Sequence, residues 1–283
     1  MRGKIVLASA LIFIFSGAST AMTGETEQEI VNRYLKRAET KHTRKITWVA
    51  VNFTFNRINR YNDYNKFANH TSNHFSNTNI PWIGDGKSFG IEAGMLLGKR
   101  FTWSVGGEYW LKQGINRTGS FDYTPPDGSP TVVENLVSET QVWGIFSSAQ
   151  CYLYNPPSKA NLLNRLALRV GGTIGFYQTR WDLWNSYENL NLATSSPEGI
   201  NTAFKGSAPG FSMQIGVDYP LRVLNFVMGV DFGYLYLNFK NVAWYNSEDE
   251  EIVATYGGTA DSRVNLSFSG FRGKVELKRF FKW

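Results

Sequence analysis

The stretch VAVNFTFN, residues 49–56, decides the fold class of this chain. Apolar residues alternate in it with small or polar ones, and the apolar positions are Val49, Val51, Phe53 and Phe55. Successive side chains of a β-strand point to opposite faces of the sheet. The stretch therefore predicts a strand with one apolar and one polar face.

The same alternation recurs along the chain and predicts eight strands. They cover residues 44–56, 86–98, 100–114, 137–153, 165–179, 208–219, 222–239 and 263–282. Each is long enough to cross a bilayer, which takes a tilted strand about 9–11 residues. The alternation changes phase in the last strand, which predicts a β-bulge at Ser269 and Gly270. Ten strands are the alternative, if a long link contains another hairpin.

Short and long links join the predicted strands in strict alternation. The short links lie at 98–100, 155–161 and 219–222, and the long ones at 57–85, 115–136, 180–207 and 240–262. This asymmetry is typical of the periplasmic turns and extracellular loops of transmembrane β-barrels. Turn residues at 125–128 predict a hairpin tip, so the strands that flank it are expected to project beyond the membrane.

The polarity of the two strand faces favours a membrane barrel over a soluble one. The apolar faces are bulky and aromatic, whereas the opposite faces carry glycine, serine and charged residues. An eight-stranded barrel has room inside only for side chains, and a buried charge persists only when it is paired. We therefore expect a polar network in the barrel interior, formed by Glu92, Glu108, Arg169, Asp218, Asp231, Arg272, Lys274 and Glu276.

Aromatic residues near the predicted strand ends indicate girdles at the two membrane surfaces. The girdle residues are Trp48, Trp82, Trp103, Tyr109, Trp181, Trp184, Tyr219, Trp244 and Phe281.

The N-terminal residues predict export from the cytoplasm. Arg2 and Lys4 precede an apolar run from Ile5 to Phe15, and small residues continue to Ala21, as in a cleaved signal peptide. This run is shorter than the roughly 20 residues of a membrane-spanning helix. The predicted organisation is a signal peptide at 1–21, a helical periplasmic segment at 22–43 and an outer-membrane barrel at 44–283.

The periplasmic segment is expected to contain a short helix at about 26–41. Thr26 and Glu29 form a capping box, and Ile30 and Tyr34 follow at helical spacing. The alternative is a loosely ordered tail, because so short a helix is marginal without packing.

The composition excludes several other classes of protein. One cysteine in 283 residues excludes an internal disulfide framework. Lysine and arginine form no basic run, so a nucleic acid is not an expected partner. No feature of the sequence predicts a cofactor.

The chain ends in VELKRFFKW, residues 275–283, where apolar residues alternate up to a terminal aromatic. This stretch resembles the C-terminal signal by which the barrel-assembly machinery recognises outer-membrane proteins. Its signal residues are Val275, Leu277, Phe281 and Trp283. Arg279 interrupts the alternation, and tryptophan stands where the usual last residue is phenylalanine.

With its eight strands and long outer loops, the chain resembles the small outer-membrane barrel superfamily that includes OmpA-type, OmpW-type and opacity-type surface proteins. The resemblance covers residues 44–283 as a pattern. It implies a barrel fold and an outer-membrane location among lipids and lipopolysaccharide. It implies no functional residue.

One sequence motif raises the question of catalysis. Residues 69–77 contain His-x-Ser-Asn twice, beginning at His70 and His74, which is similar to the motif of outer-membrane lipid A deacylases. In that family the motif lies on a strand near the C-terminus, whereas here it lies in the first outer loop. A serine nucleophile needs its base held at hydrogen-bond distance, which a polar loop does not promise. We therefore expect no catalytic residue.

Metal binding by His70 and His74 is not expected either. A spacing of four aligns two ligands only on a helix, and the residues around them are rich in asparagine and threonine, which do not favour one.

The favoured function is a structural or surface barrel whose long extracellular loops contact ligands, without catalysis. A narrow porin or small-molecule conduit is the first alternative. A lipid hydrolase that uses Ser76 is the second. The sequence gives no signal for an oligomeric state.

Overall fold

The computed structural model describes residues 46–98, 100–124, 131–154, 166–183, 202–221, 226–245, 248–251, 255–256, 259–260 and 263–282. Its elements in chain order are β1 (Ile46–Ile58), α1 (Asp63–Ser72), β2 (Asp85–Leu97), β3 (Phe101–Trp110), β4 (Gln113–Tyr123), β5 (Thr131–Tyr154), β6 (Ala167–Leu183), β7 (Thr202–Pro220), β8 (Phe226–Tyr245), β9 (Thr255–Tyr256), β10 (Thr259–Ala260), β11 (Val264–Ser267) and β12 (Gly270–Lys282).

Antiparallel pairing closes eight strands into an up-and-down barrel. The order around the ring is β1, β2, β3, β5, β6, β7, β8 and β12, and β12 pairs back with β1. The strand β4 follows β3 and pairs with the first residues of β5, Thr131 to Thr140, as a projecting hairpin. The strand β11 pairs with β8. The predicted eight-stranded barrel is confirmed.

The strands are staggered around the ring. A row of directly paired residues starts at Thr47 and runs through Met95, Trp103, Ala149, Gly172, Met213, Tyr234 and Phe271 to Arg57. It returns to β1 ten residues beyond its start. Closure of a barrel with such a stagger needs strands tilted by roughly 35–45°, and eight strands leave an interior just wide enough for side chains.

The two ends of the barrel differ in their links. Short links join the strands at the end where β1 begins and β12 finishes, which we call the short-link end. The long links, α1 and the β4–β5 hairpin lie at the other, long-link end. The links predicted as long at 180–207 and 240–262 are shortened by strand residues, because β6, β7 and β8 extend beyond their predicted bounds.

Polarity reverses part-way along β6. Near the short-link end Arg169 is buried inside, and Val170 and Ile174 are exposed on the outer face. Nearer the long-link end Trp181 is buried inside, and the neighbouring Arg180 is exposed outside. One half of this strand therefore suits a barrel in lipid, and the other half suits a barrel in water.

The strand β8 reverses in the same way. Asp231 is buried and Phe232 is 65% exposed in the half near the short-link end. Beyond them Leu237 is buried inside and Lys240 is exposed outside. The reversal on two strands marks the level at which an apolar belt around the barrel ends.

The expected bulge in the last strand appears as a break between β11 and β12. Phe268, Ser269 and Gly270 are buried in succession, which interrupts the alternation, and Phe271 is 71% exposed. A Cβ atom on Gly270 would lie 1.7 Å from the carbonyl oxygen of Arg57, so the close approach of β12 to β1 requires glycine.

The predicted aromatic girdle is wrong for three residues. Trp48, Trp181 and Trp244 are buried inside the barrel. Trp48 is in phase with the inward Asn52 of β1, and the ammonium of Lys278 lies 5.2 Å from its ring centroid. The phase of a strand residue sets the face on which it lies, and proximity to a strand end does not override it.

Several predicted features lie outside the described residues. They are the signal peptide at 1–21, the helical segment at 22–43, the hairpin tip at 125–128, Trp184 and Trp283. Among the residues that the structure does describe, no helix has the length and apolar character to span a membrane.

Candidate functional site

The interior of the barrel holds the predicted charged residues. Within the described ranges, nine charged side chains are buried there: Glu92, Glu108, Arg169, Asp218, Asp231, Arg272, Lys274, Glu276 and Lys278. Sequence reasoning missed only Lys278 of this set. The alternation in β12 contains the signal, because Lys278 follows Arg272, Lys274 and Glu276 at intervals of two.

Arg169 on β6 is the centre of the network. Its Nε lies 3.2 Å from a carboxylate oxygen of Asp218 on β7, and its Nη2 lies 2.9 Å from a carboxylate oxygen of Asp231 on β8. The same Nη2 donates to Glu276 on β12, and Nη1 donates to the side-chain oxygen of Gln150 on β5 at 2.5 Å. One guanidinium thus ties together five strands of the ring.

Lys274 on β12 joins the network to β2. Its Nζ lies 3.1 Å from Asp231, 3.1 Å from Glu276 and 3.6 Å from Glu92. The hydroxyl of Ser104 on β3 donates to the carboxylate of Glu92. The network therefore reaches across the lumen from β6 to β2 and β3.

Lys278 ends the network towards the short-link end. Its Nζ lies 2.8 Å from Glu276 and 3.2 Å from Asp218. The hydroxyl of Tyr152 donates to Asp218 at 2.5 Å, and the ring of Trp48 lies beneath the ammonium. Two aromatic side chains therefore cover this end of the charged cluster.

Arg272 and Glu108 form a second buried ion pair nearer the long-link end. Nη2 of Arg272 donates to one carboxylate oxygen, and Nη1 lies 3.3 Å from the other. The same Nη2 lies 3.4 Å from the hydroxyl of Thr54. A bidentate ion pair of this kind holds its geometry better than a single contact.

Between the charged residues and the long-link end, apolar side chains fill the barrel. The chain between β1 and β2 folds back into the mouth as α1, in which Tyr64 and Ala68 are completely buried. The hydroxyl of Tyr64 donates to the carbonyl oxygen of Ser138 at 3.1 Å, and its ring lies 5.1 Å from that of Trp181. Burial raises the pKa of Tyr64 to about 12.

An aromatic stack continues from α1 across the barrel wall. The rings of Trp181 and Phe204 are stacked with centroids 5.0 Å apart, and those of Phe204 and Trp244 with centroids 6.0 Å apart. These residues lie on the neighbouring strands β6, β7 and β8. The stack fills the half of the lumen near the long-link end, and the ion pairs fill the half near the short-link end.

Asn65 fixes α1 in the mouth of the barrel. Its side-chain amide donates to the carbonyl oxygens of Arg60 and Ile83, each at 3.0 Å. Its side-chain oxygen accepts from the amide of Ile83 at 2.9 Å, and the side-chain oxygen of Asn62 accepts from the Asn65 amide at 2.8 Å. We call the resulting unit of residues 59–84 the plug.

The structure corrects the interpretation of the His-x-Ser motif. His70 lies in the last turn of α1, so the first outer loop contains the helix that the polar sequence did not favour. His74 follows the end of the helix, and the two imidazole rings are in edge contact at 5.1 Å. The helix forms because the apolar residues Tyr64 and Ala68 pack into the barrel, which outweighs the weak local propensity.

Ser72 of the first motif and His74 of the second have structural partners. The hydroxyl oxygen of Ser72 accepts from the amide of Ile80 at 2.9 Å, and the Nδ1 of His74 lies 3.0 Å from the carbonyl oxygen of Thr124, to which it donates. In the part of the chain that the structure describes, no three His, Cys, Asp or Glu side chains are grouped to hold a metal ion.

Val275, Leu277 and Phe281 of the predicted assembly signal lie on the outer face of β12. Val275 is 49% exposed, and Leu277 and Phe281 are half-buried. Arg279 shares this face, and its guanidinium lies 5.4 Å from the ring of Phe281 and 5.9 Å from that of Phe226. The arginine thus keeps the phase of the strand and packs on aromatic rings.

An apolar belt surrounds the charged half of the barrel. Its exposed members include Ile145, Ile174, Phe211, Met213, Ile215, Phe232 and Phe271, each at least 51% exposed. Within the belt, the indole of Trp103 donates to the hydroxyl of Ser147 at 2.9 Å, so this polar pair is satisfied without water. Such a belt outside a polar interior is the arrangement of a transmembrane barrel.

Neither a protein-family model nor a curated protein matches this chain. Solved structures similar to it include the outer membrane protein OprG from Pseudomonas aeruginosa, with 9% identity, 85% of this chain and 97% of that chain covered, and a TM-score of 0.47. Neisserial surface protein A has 12% identity, coverages of 84% and 97%, and a TM-score of 0.40. The outer membrane protease OmpT from Escherichia coli has 11% identity, coverages of 86% and 100%, and a TM-score of 0.35.

Proposed function

We propose that the protein is a non-conducting barrel of a bacterial outer membrane, whose wall anchors it in lipid and whose long-link end contacts ligands at the cell surface. Its long-link end faces outward and its short-link end faces the periplasm. The observation that carries this proposal is the filling of the lumen at two levels. Ion pairs cross one half, and the plug with its aromatic stack fills the other.

The charged half resists the passage of ions because its charged groups are already paired with one another. Arg169 and Lys274 are bound by four buried carboxylates, those of Asp218, Asp231, Glu276 and Glu92. An ion that entered would have to displace these contacts, and breaking a buried pair costs about 3–5 kcal/mol. The network therefore supports a structural role for the interior.

Outer-membrane lipids and lipopolysaccharide are the proposed surroundings of the belt, and the barrel-assembly machinery is the proposed partner during insertion. The alternation of Val275, Leu277 and Phe281 on one face supports the second proposal. The exposed apolar side chains of the belt support the first.

Planar-bilayer recording tests the proposal against the alternative of a conduit. The full chain is expected to insert without stable channels. A variant that lacks residues 62–80 provides a control for the plug, and it too is expected to stay silent because the ion pairs remain. Stable openings of the wild-type chain would show that the lumen conducts and would overturn the proposal.

Lipid release tests the alternative of a hydrolase. We expect purified protein in lipopolysaccharide-containing vesicles to release no fatty acid. Release that is lost in Ser76→Ala and kept in Ser120→Ala would instead establish catalysis by the second His-x-Ser motif.

A further inference from the structure

Three basic side chains lie together where the first long link leaves the barrel wall. They are Arg57 at the end of β1, Arg60 just after it and Lys87 at the start of β2. All three are exposed. We call them the basic collar.

The strand register places the basic collar at the upper edge of the apolar belt. On the outer faces of β1 and β2, Phe53 is paired with Phe89, and their rings are 5.1 Å apart. The next outward pair towards the long-link end is Phe55 with Lys87, and the one after that is Arg57 with Asp85. The apolar surface therefore gives way to bases within two residues on both strands.

Several bases elsewhere in the protein are neutralised by an acidic partner, whereas the three collar bases have none among the described residues. Five exposed ion pairs occur elsewhere, namely Lys66 with Asp63, Lys112 with Glu139, Arg180 with Asp182, Lys205 with Asp249 and Arg263 with Glu251. Over the ranges that the structure describes, no carboxylate lies within ion-pair distance of Arg57, Arg60 or Lys87. Asp85 stands opposite Arg57 in the strand register without forming an ion pair, so the three bases with Asp85 keep a net positive charge that an external anion can neutralise.

Two exposed aromatic residues stand beside the collar on its outer side. The guanidinium of Arg60 lies 5.9 Å from the ring centroid of Trp82, which is 52% exposed, and the neighbouring Tyr61 is 87% exposed. The hydrogen bonds of Asn65 to Arg60 and Ile83 hold the chain on both sides of this contact. Rings held in this way at a membrane surface suit the interface between lipid chains and polar headgroups.

We propose that the basic collar binds the phosphate groups of an anionic outer-leaflet glycolipid. Headgroup phosphates lie just beyond the hydrocarbon, at the level where Arg57 and Lys87 follow the last apolar side chains of the belt. Arginine donates to phosphate through two parallel N–H groups, and lysine supplies a point charge. This site rests on the proposed membrane location and gives the outer rim a specific partner.

Binding of diphosphoryl lipid A to the detergent-solubilised full chain tests the site. The test variant is R57A/R60A/K87A. The matched control is R117A/K240A, which removes two exposed bases outside the collar that likewise have no ion-pair partner among the described residues. We expect the collar variant to bind about 100-fold more weakly, because bases near an anionic surface act additively, and the control to bind as the wild type does. Fully dephosphorylated lipid should bind all three proteins equally weakly.

Any of three results would overturn the site: equal affinity of the collar variant and the wild type, an equal loss in the control, or tight binding of the dephosphorylated lipid. Binding of inorganic phosphate alone as tight as that of diphosphoryl lipid A, at constant ionic strength, would also overturn it, since the ligand would then be a free anion. Heat-modifiable gel mobility and bilayer recording of the collar variant separate this site from the proposed function. A folded, silent variant that still binds the lipid disproves the collar alone.

Discussion

Tyr64 illustrates how a single side chain connects the plug to the barrel. Its ring is completely buried against Trp181, and its hydroxyl donates to the carbonyl oxygen of Ser138. An ionised phenolate could not donate this hydrogen bond, and its charge would be destabilised by burial. The neutral form of the side chain is therefore the one that stabilises the folded plug.

The stability of the plug is expected to fall at alkaline pH through Tyr64. Its pKa is about 12 in the folded chain against an ordinary value of 10.0, so its contribution is complete below pH 10 and is lost as the pH rises to about 12. The loss, relative to Tyr64→Phe, should be about 2–3 kcal/mol in the free energy of unfolding. Unfolding curves of both proteins at pH 9, 10, 11 and 12 measure it. Parallel pH profiles of the two would contradict the assignment.

The outward side chains of the strands show at which level the apolar belt ends. On β7, Ile215 is 51% exposed within the belt, between the exposed Met213 and the half-buried Val217. On β6, Gln178 is exposed on the same outer surface, but it lies beyond Phe176 towards the long-link end. The two positions share a secondary structure and an outward orientation, and they differ in their level along the barrel.

We expect Ile215→Arg to destabilise the barrel in lipid and Gln178→Arg to leave it unchanged. A charge near the middle of the belt costs about 2–4 kcal/mol, whereas one above the belt costs little. Reversible urea unfolding in phospholipid vesicles gives the two free energies. A similar effect of both substitutions would mean that the belt does not face hydrocarbon.

The alternation of side chains predicted the strands because it is a local property of the sequence. Eight strands, the break near Gly270 and the inward phase of Arg169 can all be read from neighbouring residues. The helix α1 could not be predicted in this way. Its stability comes from Tyr64 and Ala68 packing on Trp181 and its neighbours, more than 100 residues away in the chain, and its local sequence is polar.

For the whole molecule, the charged network could be predicted from the sequence and the plug could not. Alternation sets which charges point inward, and a narrow interior forces them to pair. The apolar filling of the outer half depends on contacts among Tyr64, Trp181 and Phe204, which only the folded chain brings together. Trp181 and Trp244 lie near strand ends, as girdle residues do, and are interior residues in the structure.

The network should make Arg169 one of the most sensitive positions in the molecule. Arg169→Met removes the cation that contacts all three of Asp218, Asp231 and Glu276, and we expect a loss of about 3–5 kcal/mol in unfolding free energy. Arg180→Met removes an exposed arginine from its pair with Asp182 and should cost about 0–1 kcal/mol. Equal losses in urea titrations of the two variants would show that the interior charges do not act as a network.

The quenching of single tryptophans by brominated phospholipids tests the inside and outside assignments most directly. Variants that keep only Trp103, only Trp48 or only Trp181 are inserted into vesicles with and without bromine on the acyl chains. Trp103 is 40% exposed on the belt and should be quenched strongly, whereas the buried Trp48 and Trp181 should not be. Strong quenching of Trp181 or Trp48 with none of Trp103 would show that the belt faces inward and would contradict the account.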